Sequence, residues 1–240
     1  MSWAAHDLEP YAIQRHVGIK LAFVPLLIGS YFPDLFTKWF VYGVHILGHQ
    51  FKANNPAQFH RGWPGVGFTH SLLWGVAIGL LIWKLSGSRL WAVSYLVGQW
   101  AHAITDSGDT VGTQLLFPWL HHFSIGAWAY AGQTGRLTDA AAYFSGLGSI
   151  WDLVFVLYGI YSWRVLTGAY FDNYIVAADS RTWNWLHKFI GRNGLLALYR
   201  AAFFYGSCRW IAWTIWAHVV HHYPYDLSWG GPHWVQAATP

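Results

Sequence analysis

Residues 70–106 read HSLLWGVAIGLLIWKLSGSRLWAVSYLVGQWAHAITD. Two apolar runs, 70–84 and 90–106, flank a short basic hairpin, Lys84-Leu85-Ser86-Gly87-Ser88-Arg89. Each run lies near the lower limit of the roughly 17–25 residues that carry a helix across a bilayer. Comparable runs occupy 17–33, 149–165 and 205–222. Composition points the same way: the chain is 55% hydrophobic and only 10% charged, where water-facing domains carry about 25% charged residues. Charge this sparse does not cover a surface bathed in water. Eighteen Trp and 14 Tyr add residues that favour the membrane–water boundary. The sequence therefore predicts an all-α fold: a polytopic transmembrane helical bundle of about five spans, forming a single integral membrane domain over 1–240.

The segment 36–52 differs from these runs. Lys38, His45, His49 and Lys52 recur at spacings that place them on one helical face, which predicts a helix lying in the interface or lining a polar cavity. Orientation follows from the basic residues. With the Lys84–Arg89 hairpin placed in the cytoplasm, Arg15, Lys20, Arg164, Arg181, Lys188, Arg192, Arg200 and Arg209 thread to the same side. This predicts a multi-pass protein of the bacterial inner (cytoplasmic) membrane with a cytoplasmic N-terminus. No basic start followed by an apolar stretch opens the chain, so no cleaved signal is expected. The scattered basic residues do not form a nucleic-acid footprint, and the lone Cys208 excludes an internal disulfide or a cysteine-built metal cluster. No phosphate-binding glycine loop is present.

The same threading sends His6, His16 and His187 inside and the other histidines to the outer face, together with most aspartates. There a constellation stands out. His102 and Asp106 are four apart and project from one helical face. His70 begins one run and Asp34 ends another, so all four reach one side. Two imidazoles and two carboxylates suit a divalent ion, with zinc the natural occupant, and ionisable groups at membrane depth point to function. Plainer roles exist for each: Asp106 as a helix terminator, Asp34 as an N-cap after Pro33. His218 and His222 share a helical face with His221 beside it, and His121-His122 lie in a long loop. A second metal site, haem ligation or aromatic packing fits these residues, packing best. Asp152 is placed to complement a helix N-terminus.

Pro33-Asp34, His60-Arg61-Gly62 with Thr69-His70-Ser71, and Gly98-Gln99-Trp100-Ala101-His102-Ala103-Ile104-Thr105-Asp106, followed by Gly112 and Leu115-Leu116-Phe117-Pro118, resemble the YdjM-type membrane-bound metal-dependent hydrolases. That family is distantly similar to zinc-dependent phospholipase C and P1-type nucleases, and the resemblance covers roughly residues 30–120. It implies that Asp34, His70, His102 and Asp106 bind a metal, with Thr69 and Ser71 supporting them. Three features depart from the family pattern. Six residues, Trp63 to Phe68, separate Gly62 from Thr69; Phe36 stands where a second Asp is usual; and the family's early His has a tempting match in His16. A single helix over 17–33 would extend about 25 Å and carry His16 to the opposite face, so His16 is not expected among the ligands.

A catalytic ion there would act on a phosphoester or lipid-like ester at the outer membrane face. His60 would serve as general acid or base and Arg61 as an anion clamp, although Arg61 equally suits a lipid headgroup. The competing reading is a non-catalytic accessory subunit, on a hydrolase-derived scaffold, within a larger membrane complex. Membrane lipids are the expected partners in either case, with other membrane subunits in the second.

Overall fold

A computed structural model describes residues 3–16, 20–52, 68–128, 136–225 and 233–236. The chain is mainly helical. α1 (Trp3–His16) and α2 (Phe23–Tyr42) precede a hairpin of β1 (Val44–Ile46) and β2 (His49–Phe51). A single 3-10 turn, Phe68–His70, leads into α3 (Leu72–Ser86) and α4 (Arg89–Asp106). β3 (His121–Ser124), α5 (Arg136–Phe144) and α6 (Leu147–Tyr161) follow. After irregular helical turns come α7 (Ser180–His187), α8 (Arg192–Ile215) and β4 (His233–Gln236). β4 pairs antiparallel with β3, His121 opposite Gln236 and Ser124 opposite His233.

At the centre lies α1, buried without interruption from Ala4 to Tyr11. Ala4, Leu8 and Tyr11 pack with Phe23, Val156, Phe171, Leu195, Tyr199 and Phe203 in the main core. The free amides of its first turn are answered by Asp152 of α6, whose two carboxylate oxygens each accept from one of them, Ala4 N and Ala5 N, at 3.1 Å. Burial nonetheless raises the Asp152 carboxyl to about 6, with those two amides opposing the rise.

α2 and α4 pack at backbone contact. A Cβ on Gly98 would stand 2.1 Å from the Leu26 carbonyl oxygen, and one on Gly29 2.2 Å from that of Tyr95. Two glycines thus set the distance between these helices. α3 turns Gly75 and Gly79 inward and Leu73, Leu80 and Leu81 outward; α6 buries Gly148, Ser149, Asp152 and Gly159 while exposing Ile150, Val154, Leu157 and Ile160. Apart from Val156 of α6, small and polar residues face in and large apolar ones face out, the reverse of what water selects.

The structure corrects the predicted architecture. Among the described residues no helix is long and apolar enough to cross a membrane. The most apolar helices, α3 and α6, have 15 residues each, about 22 Å against a hydrocarbon core of about 30 Å. The longer ones are polar: α2 contains Pro33, Asp34 and Lys38, α4 His102 and Asp106, and α8 Arg192, Arg200 and Arg209. The five-span transmembrane bundle is overturned, and the cytoplasmic N-terminus deduced from its threading has no span to rest on. The interfacial helix over 36–52 is also corrected, because α2 ends at Tyr42 and the chain reverses through Gly43 (φ 85°) and Gly48 (φ 82°) into the β1–β2 hairpin. The strands make the fold mainly, not wholly, helical.

Two measurements test this packing. Gly98→Ala is expected to cost roughly 1–3 kcal/mol, because a backbone carbonyl cannot yield. Gly79→Ala, with its nearest neighbour at 3.4 Å, is expected to leave the thermal midpoint unchanged or higher; equal midpoints for both variants would refute the contact. Asp152 titrates higher folded than free, so its contribution to stability is full below pH ~4 and is lost as pH rises through about 6. Asp152→Asn is expected to flatten that step in a plot of midpoint against pH.

Candidate metal centre

Three elements bring the four residues together. α2 supplies Asp34 from the turn after Pro33, the 3-10 turn supplies His70, and α4 supplies His102 and Asp106 one helical turn apart. All four are buried, and one donor atom from each lies within 4.8 Å of every other. His102 Nε2 is 3.2 Å from His70 Nε2, 3.5 Å from Asp106 Oδ2 and 3.9 Å from Asp34 Oδ1. His70 Nε2 is 3.4 Å from Asp106 Oδ2 and 4.0 Å from Asp34 Oδ1. Four N and O donors around zinc, at bonds of about 2.0–2.2 Å, stand about 3.4 Å apart. The donor set fits such an ion.

The surrounding hydrogen bonds orient the donors. His102 Nδ1 donates to the Ser30 carbonyl at 2.6 Å, which leaves Nε2 with a lone pair aimed into the cluster. Burial, and then the neighbouring His6, hold His102 well below the ordinary imidazole value, so it stays neutral. A neutral lone pair facing two carboxylate oxygens is repelled by them unless a cation lies between. Thr69 Oγ1 is 3.2 Å from His70 Nδ1. The Gln99 amide donates to the carbonyls of Thr69 and Ser71, at 3.1 and 3.0 Å, and ties the His70 turn to α4. Ser71 itself caps α3 by accepting from Trp74 N at 3.1 Å. Thr69 therefore touches a donor residue directly, and Ser71 acts through the helix it caps.

Sequence reasoning missed the contribution of α1. His6, threaded to the opposite face, stacks on His102 with ring centroids 3.7 Å apart. Its Nε2 lies 3.2 Å from Asp106 Oδ1 and its Nδ1 3.4 Å from Glu9 Oε2. Thr105 donates to Glu9 Oε1 at 2.5 Å, and the Ser30 hydroxyl lies 3.3 Å from Glu9 Oε2. Among the described side chains His6 is the histidine that α1 brings to the site; His16 closes α1 and its side chain falls outside the described ones. The available signal was the i, i+3 pairing of His6 and Glu9. One residue on, buried Asp7 accepts from Tyr31 and pairs with Arg209 at 2.9 Å. Lys38 pairs with Asp34.

Among the described residues the other candidates do not join this cluster. His60 and Arg61 lie outside the described residues. His45 and His49 are exposed on the β1–β2 hairpin. His122 donates to the Val111 carbonyl at 2.9 Å, and His121 meets the edge of Trp119. His218 stacks on Tyr225 and His221 on Trp216, so these follow the packing reading. Asp109 accepts from Val111 N and Gly112 N and serves its own turn.

The model of the family described as YdjM inner membrane protein matches residues 8–175, more than half of the chain. The match reaches well beyond the 30–120 stretch that carries the motifs, taking in α2 through α6 and most of α1. Comparison with curated proteins and with solved structures gives no match.

If His6 holds Asp106 in place, His6→Ala is expected to weaken zinc binding roughly 10- to 100-fold with all four donors intact. Competition against a chelator of known affinity checks this; identical affinities would show that His6 only fills space.

Proposed function

The chain belongs to the YdjM inner membrane protein family, and from that premise we propose that it is a metal-dependent hydrolase of the bacterial inner membrane, acting on a phosphoester or lipid-like ester. One observation carries the reading: four buried donors converge at separations that suit a divalent ion, zinc being the best fit, which would take water or an ester oxygen as a further ligand. Charge balance supports it. The donor set itself holds two buried carboxylates, Asp34 and Asp106, and a divalent cation between them would offset their charge.

The bound ion would supply a polarised ester oxygen and an acidified water. The chain's own groups do the rest. Asp34 is 10% exposed at its side chain while His70, His102 and Asp106 are at 0%, so the centre opens on the Asp34 side. Lys38, 32% exposed and paired with Asp34, stands at that opening. Its ammonium is placed to hold an anionic oxygen of the substrate and to offset charge that develops there. His60 and Arg61, which precede the Thr69-His70-Ser71 segment, are assigned to proton transfer and anion binding from sequence alone. The outward-facing leucines, isoleucines and valines of α3 and α6 are the surface offered to lipid.

Metal analysis of the purified protein, beside a His70→Ala/Asp106→Ala double variant, tests the centre: about one equivalent of zinc is expected in the first and background in the second. Equal content in both would sink the reading. Hydrolysis of a chromogenic phosphodiester is expected to vanish in that variant and on chelation. Lys38→Met is expected to keep its zinc while losing roughly 10²-fold in turnover. A zinc-loaded protein that turns over no phosphoester or lipid ester and co-purifies with stoichiometric membrane subunits would mark the accessory role instead.

A further inference from the structure

A cavity of about 900 Å³ opens between the α3–α4 hairpin and α7, away from the metal centre. Trp91, at its wall, lies 11 residues before His102, about 16 Å along α4. Leu85, Leu186 and the indoles of Trp91 and Trp185 make the walls apolar, and Arg181 and Lys188 add two cations. Leu85 and Trp185 also protrude, exposed, with Phe189 beside them.

The cations are the informative part. Several other basic side chains have partners: Lys38 has Asp34, Arg209 has Asp7, Arg192 has Asp172, and Arg89 lies over the Trp83 ring. Among the described residues neither Arg181 nor Lys188 forms an ion pair. The carboxylate in the cavity wall, Asp179, is engaged locally, accepting from Trp91 Nε1 at 2.7 Å and from Thr182 N at 3.4 Å. The result is an apolar slot whose two cations, Arg181 and Lys188, outnumber its one carboxylate, Asp179, and leave a net positive charge at the rim. That chemistry selects an amphiphile with an anionic head, and the exposed aromatic and leucine side chains continue the slot into a surface suited to acyl chains.

We propose that this cavity is a binding site for one anionic phospholipid, its headgroup on Arg181 and Lys188 and its acyl chain along Leu85, Trp91, Trp185 and Leu186. The site is independent of the metal centre. A free phosphate-bearing solute shares the headgroup chemistry but leaves the apolar walls unused.

The test uses the whole protein, delipidated in a mild non-ionic detergent and titrated in native mass spectrometry. The probes are phosphatidylglycerol, phosphatidylcholine of the same chains, and inorganic phosphate. Wild type is expected to retain phosphatidylglycerol roughly tenfold better than phosphatidylcholine. Arg181→Ala/Lys188→Ala is expected to lose that preference at unchanged zinc content, while Arg181→Lys/Lys188→Arg keeps it. Trp185→Ala is expected to lower retention of both lipids. Equal retention by wild type, a preference that survives the double alanine variant, or displacement of the lipid by millimolar phosphate would each overturn the proposal.

Discussion

The hydrogen bond from His102 Nδ1 to the Ser30 carbonyl, 2.6 Å long, crosses from α4 to α2 and can form only if the two backbones nearly touch. Gly29 and Gly98 permit that approach, each occupying a position where a Cβ would overlap the opposite backbone. The bond then fixes one ring nitrogen as donor and turns the other toward the metal centre. The same approach brings Asp34 of α2 to face His102 and Asp106 of α4. Helix packing and ligand geometry are therefore one constraint, and a glycine pair with no chemistry of its own decides whether the centre exists.

Much of the centre was legible in the sequence because its ligands sit in local patterns. His102 and Asp106 share a helical face by spacing alone, and Pro33-Asp34 and Thr69-His70-Ser71 are recognisable in short windows. What was not legible depends on distance. The stretch Trp3–His16 has His6, Asp7, Glu9, Gln14 and Arg15 among its apolar residues and shows no apolar run, so nothing local says that it is the central buried helix. Its burial is specified by partners far along the chain: Asp152 on its first amides, Arg209 on Asp7 and the Tyr199 carbonyl on the Tyr11 hydroxyl. Asp152 has the task expected of it, complementing a helix N-terminus, and the helix is α1, far away in the chain. In 36–52 the polar spacing suited a helix, and Gly43 and Gly48, which take positive φ as Leu47 also does, carried the contrary signal.

Hydropathy misled for a different reason. It measures how apolar a stretch is, whereas crossing a bilayer also needs length without interruption. The apolar stretches here are cut short by Ser71 and Gly87 at the two ends of α3, and α4 begins at Ser88 with its own cap. What hydropathy does report is the surface. Apolar side chains are turned outward on α3 and α6 and small ones inward, the arrangement favoured where the surroundings are as apolar as the side chains. That pattern accords with a chain of an inner membrane family.

Enclosing the centre in protein carries an electrostatic cost that α1 alone does not meet. It brings His6 and Glu9 to the second face of Asp106 and His102, and with them the buried carboxylate of Asp7. Each carboxylate is hydrogen-bonded or ion-paired, and its burial is costly without such partners. An ion held by Asp34, His70, His102 and Asp106 would offset the charge of the two aspartates, and α1, through His6, contacts the far oxygen of Asp106. Binding and enclosure would then each favour the other. The helix that looks least apolar in the sequence is buried deepest because the charges it carries belong to the centre it covers.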